Sequence, residues 1–77
     1  MNRNGVLRMY SRQLTHAGHV RRFLVNEAGA SGWEVREERD SRTVHHVWCS
    51  DWHRVERKLI DFNRRIAELE REGWVSA

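Results

Sequence analysis

The segment 51–72 most narrows what this chain can become. Its apolar residues are Trp52, Val55, Leu59, Phe62, Ile66 and Leu69, at steps of 3, 4, 3, 4 and 3. That spacing puts all six on one stripe of an α-helix and also reads as a heptad seam. Ser50 or Asp51 serves as N-cap, and Asp51 sets a negative charge at the positive end of the helix dipole. Gly73 falls at the left-handed position just past the last turn. Trp74 falls where a Schellman motif places its apolar contact, against Leu69. Asp61 with Arg65 and Arg64 with Glu68 sit four apart on the wet face, spaced for ion pairs.

A helix over 51–72 is about 33 Å long. A compact chain of 77 residues is only about 30 Å across. The helix must therefore run the width of the domain. It also needs a surface to lie on, because an isolated amphipathic helix is marginal in water.

Residues 32–49 supply that surface. The runs Trp33–Arg39 and Arg42–Cys49 are rich in β-branched and aromatic residues and flank Asp40-Ser41. With those two as the turn, Trp33 faces Trp48 and Val35 faces His46. One face then carries Trp33, Val35, Val44, His46 and Trp48, and the other carries Glu34, Arg36, Glu38, Thr43, His45 and Val47. Asp-Ser is not an ideal pair for a primed turn. One extra residue on either side would turn a strand over and move His45 and Val47 inward.

The first third is read from weaker signals. Residues 5–14 lack helix caps and read as a strand, and Thr15-His16-Ala17-Gly18 reads as a turn. Residues 19–28 fit a strand, with Val20, Arg22 and Leu24 alternating against Arg21, Phe23 and Val25. They also fit a helix with Val20, Phe23, Leu24 and Ala28 on one face. The strand is preferred, because Gly18 lies where a hairpin wants it. The expected fold is α+β in a single domain, 1–77. It is an antiparallel meander of three or four strands (about 5–14, 19–26, 33–39 and 42–49) packed against one long C-terminal helix.

Function is less constrained. The single cysteine excludes an internal disulfide and suits a cytoplasmic protein. The longest apolar run, Phe23-Leu24-Val25, is far too short to cross a membrane, and no signal-peptide pattern is present. The net charge of +3 hides an asymmetry: residues 1–26 hold five arginines and no acid, whereas 27–56 hold seven acids and four arginines. Arg8, Arg12, Arg21 and Arg22 are accordingly the candidate anion contacts, for a nucleic-acid backbone in particular. The bland reading is a solvated basic face.

The stretch 45–53 concentrates His45, His46, Cys49, Asp51 and His53. Cys49 and His53 stand four apart at the helix start, where the dipole favours a thiolate. Yet one cysteine does not make a recognised zinc pattern, and no third group orients His53 as a base. The expectation is no enzyme, no metal and no cofactor. Tryptophans beside arginines could form a stacking platform for single strands, but Trp33, Trp48 and Trp52 all have core positions in this layout. His16, His19 and His53 offer a pH-sensitive surface only weakly.

The helix gives the more useful hint. A six-residue strand spans about 20 Å, so about a third of the helix would overhang the sheet. Ile66, Leu69 and Trp74 then form a candidate partner surface, with a second copy of the chain as the expected partner. The alternative is a monomer whose sheet curls around the whole helix.

The run Gly32-Trp33-Glu34-Val35, followed by Asp51–Arg57 and Gly73-Trp74, resembles a group of small uncharacterised bacterial proteins. The resemblance covers most of the chain from about residue 14 and implies no activity. The sheet-then-helix order is also similar to that of double-stranded RNA-binding domains, which would imply phosphate contacts. This chain departs from them at the start of its last helix, where Lys58 is the only lysine.

Overall fold

A computed structural model describes residues 9–29 and 32–77. The chain forms β1 (Met9–His16), β2 (His19–Glu27), β3 (Trp33–Arg39), β4 (Arg42–Cys49), α1 (Trp52–Arg71) and β5 (Val75–Ser76). The strands make one antiparallel sheet in the order β4-β3-β2-β1-β5, with α1 packed on one face. The α+β meander expected from the sequence is the fold. The expected strand 5–14 begins outside the described residues, and it runs on through Thr15 and His16 before turning at Ala17-Gly18.

Both hairpins close on two-residue turns with positive φ throughout: Ala17 at 51° and Gly18 at 81°, then Asp40 at 51° and Ser41 at 70°. This primed geometry matches the right-handed twist of the flanking strands. Residues 19–27 form a strand because that turn hands them directly to β1, pairing His16 with His19 and continuing in unbroken register to Met9 with Asn26.

The second hairpin does not stay in register. Arg39 pairs with Arg42 and Glu38 with Thr43, but Glu37 pairs with His45, so Val44 is a bulge. Beyond it Val35 faces Val47 and Trp33 faces Cys49. The preferred face with Val44, His46 and Trp48 beside Trp33 is thereby corrected, and the alternative of one extra residue, which turns His45 and Val47 to the helix side, is the one the strand adopts. A side-chain period of two means that one extra residue exchanges inside for outside. Cys49 is buried and Val47 packs on the core, whereas Trp48 is 48% exposed on the opposite, open face.

The helix begins as its sequence dictates. The Asp51 carboxylate accepts the Arg54 N–H at 3.0 Å. It ends in a Schellman motif: the Trp74 N–H donates to Leu69 O at 3.0 Å and the Gly73 N–H to Glu70 O at 3.1 Å, with Gly73 at φ 105°. The expected Asp61–Arg65 and Arg64–Glu68 pairs do not close. His53–Glu56 at 3.5 Å and Arg54–Asp51 at 3.7 Å do.

The helix crosses the sheet on a diagonal. Its start lies over the β3–β4 end, where the Trp33 and Trp52 rings meet edge-on at 5.3 Å. Phe62 meets Phe23 at mid-sheet, 4.9 Å between centroids. Its end reaches the β1–β2 turn, where Trp74 tilts against His16 at 5.5 Å and β5 pairs with Leu14 and Thr15. This crossing leaves one corner of the helix-side face uncovered, at the end of β3 and the start of β4.

Candidate functional site

The overhanging patch expected at the end of the helix does not exist. Ile66 is 3% exposed and Leu69 5%, and Trp74 is half-buried against the same core. The diagonal is the reason: the last turns of α1 lie along β1 and β2, and β5 widens the sheet beneath them. These three residues pack against the domain's own core.

The anion contacts expected from the N-terminal third do not converge either. Arg8 lies outside the described residues. The Arg12 guanidinium donates to Ser76 Oγ at 3.0 Å and lies 3.8 Å from Glu70. Arg21 is buried on the helix side, donates to Glu37 at 2.8 Å and stands 5.7 Å over the Trp74 ring. Arg22 is on the open face, 3.4 Å from Glu38. Alternation within β2 sends Arg21 and Arg22 to opposite faces. A buried cation without its carboxylate would be costly, so Arg21 and Glu37 are committed to each other.

Cys49 and His53 do not form a corner. The thiol is buried on the helix side of the sheet, and the His53 side chain is 93% exposed. Among the described residues no group of three or more His, Cys, Asp or Glu could hold a metal ion. No helix there is long and apolar enough to cross a membrane.

The open face is occupied by its own charges. His46 and Glu34 lie 2.7 Å apart, Arg36 reaches Glu38 at 3.3 Å, and Arg22 closes the chain of pairs. At the far end of the sheet, Asp40 ties the two hairpins together. Its carboxylate accepts the Val20 N–H at 2.9 Å and meets His19 Nδ1 at 2.9 Å. The Val20 hydrogen bond first, and His19 second, hold the Asp40 carboxyl below its usual range.

Two features of the surface remain unsatisfied. One is the outer edge of β4, which no strand covers among the described residues. Along it Val44 is 52% exposed and Trp48 48%. The other is the uncovered corner, where the flank of α1 and the ends of β3 and β4 enclose a cleft of about 410 Å3. Sequence reasoning missed both, since each follows from the bulge and the diagonal. Its one available signal was Arg39 and Arg42 flanking a two-residue turn, which places them side by side.

Neither family models, nor curated proteins, nor solved structures give a match to this chain.

Proposed function

We propose that this chain is a non-catalytic interaction module that self-associates through the outer edge of β4. The observation that carries the reading is the edge itself. An unpaired strand presents a row of free backbone N–H and C=O groups, a template for another strand. Proteins blunt such edges with lysine, proline or bulges. β4 has no lysine or proline, and its bulge at Val44 leaves His45–Cys49 regular.

A second copy of the chain suits this edge better than an unrelated strand. Arg42 opens β4 and Asp51 follows its end. Antiparallel pairing about a two-fold axis brings each copy's Arg42 toward the other's Asp51 end. Trp48 and Val44 gain cover at the same time, one on each face. The separation of Cys49 from His53 supports the absence of catalysis, and the unpaired thiol supports a cytoplasmic setting.

Light scattering coupled to size exclusion tests the reading. The native chain is expected at twice its 9.3 kDa mass. Trp48→Lys is expected at the single mass with an unchanged circular dichroism spectrum, and Val44→Lys provides a second edge variant. A native chain at the single mass at every concentration ends the proposal.

A further inference from the structure

The uncovered corner carries an arrangement that a free surface does not favour. On the helix-side face Arg21 of β2 pairs directly with Arg39 of β3, and Arg39 pairs directly with Arg42 of β4. Three arginines thus stand side by side across three strands. Like charges directly opposite in a sheet are destabilising. Arg21 is relieved by Glu37, one diagonal step away on β3. Arg39 and Arg42 have no such partner.

The helix adds to the imbalance. Lys58 and Arg65 of α1 line the cleft from the other side, facing Arg39. Among the described residues none of Arg39, Arg42, Lys58 and Arg65 has a carboxylate within 4.0 Å. The acids nearby do not balance them. Glu37 is committed to Arg21, Asp40 is held by Val20 and His19, and Asp61 is the one free carboxylate on the cleft wall. Arg39 also lines the two smaller depressions beside this one, so it sits at the centre of the corner.

We infer that this corner is a binding site for a compact polyphosphate, such as the phosphate chain of a nucleoside triphosphate. Arg39 and Arg65 offer planar forks that match phosphate oxygens from the two walls of the cleft, and Lys58 adds a further charge beside them, while Arg42 borders the adjoining depression. The volume lies within the range of small-molecule sites. Convergence on a single cleft distinguishes this site from a nucleic-acid track, which needs cations spread along a path. The neighbouring open face offers no continuation, since its arginines are paired with Glu38. Exposed Val44 at the rim gives the organic part of such a ligand an apolar lip. The charged part of the site uses side chains on the helix-side face, whereas self-association uses the backbone edge of β4, and Val44 at the rim borders both.

Calorimetric titration at low salt with inorganic tripolyphosphate, and separately with adenosine triphosphate, tests the inference. One ligand per chain is expected. Arg39→Gln and Lys58→Gln are each expected to weaken binding about tenfold. Arg39→Gln should also raise the melting temperature of the ligand-free protein, because it removes the central charge of the row. A merely structural arginine would lower it. Arg64→Gln, outside the cleft, should change nothing. No heat with either probe overturns the inference, as does an equal loss from Arg64→Gln. A single-stranded oligonucleotide binding more tightly than tripolyphosphate also overturns it, in favour of a strand-shaped ligand. The mass of each variant in solution, read in parallel, separates failure here from failure of the β4 edge.

Discussion

The two hairpins start alike and end differently. Each turns on two residues with positive φ, and each begins with perfect opposition of the flanking pair. β1 and β2 keep that register along their whole length, while β3 and β4 lose it at Val44. A turn therefore fixes register only nearby. Farther along, burial decides, and the bulge is what lets Val47 and Cys49 join Trp33 and Val35 on the core side.

The largest expected effect separates the two hairpins by core depth. Phe23→Ala should cost about 3–5 kcal/mol, since the ring is buried against Phe62 at the centre of the domain. Val47→Ala, on a half-buried outer strand, should cost about 1 kcal/mol. Urea denaturation reads both, and equal losses would mean that β4 is as integral to the core as β2. Deleting Val44 attacks the difference itself. It joins Thr43 directly to His45 and leaves the pairs Glu37–His45, Val35–Val47 and Trp33–Cys49 on their present faces, for a loss below about 1 kcal/mol and no shift in tryptophan emission. A loss of about 2–3 kcal/mol with a blue shift in tryptophan emission would show that the bulge residue itself supports the core.

A smaller effect sharpens the likeness of the turns. Ser41 holds a left-handed conformation that glycine adopts freely, and Gly18 already occupies the matching position in the first turn. Ser41→Gly should therefore stabilise by about 0.5–1 kcal/mol, measured by the denaturation midpoint. The smallest effect is the dependence on acid. The folded state lowers the Asp40 pKa below its ordinary 3.8, so the contribution is fully present above that value and fades as pH falls through the lower folded value. Asp40→Asn should flatten the acid limb of a stability profile below about pH 4 and cause a small loss at neutral pH, where the carboxylate's contribution is fully present.

The parts of this molecule that were legible in its sequence are local ones. The 3–4 spacing of the helix stripe, Asp51 as cap, and Gly73 with Trp74 as terminator each depend on residues within a turn or two, and all stand in the fold. The four strands are likewise marked by their own residues. What was not legible depends on pairs far apart in the chain. Nothing near Val44 announces a bulge, because its cause is the demand of Trp33 and Val35 for apolar neighbours across the strand. Ile66 and Leu69 looked exposed because the angle of the helix on the sheet is not written in the helix. Arg21 looked available because Glu37 and Trp74, its two partners, lie 16 and 53 residues away.

The burial of Cys49 has a practical consequence. The chain's only thiol lies where β4 hands over to α1, sealed from solvent. A thiol reagent can reach it only during the moments when that junction parts. Its labelling rate in native buffer is therefore an intrinsic clock for the opening of the β4 side of the domain, and it requires no engineered probe. Run on the Val44 deletion and on the Ser41 variant, the same clock would time how each change in the second hairpin is felt at its far end.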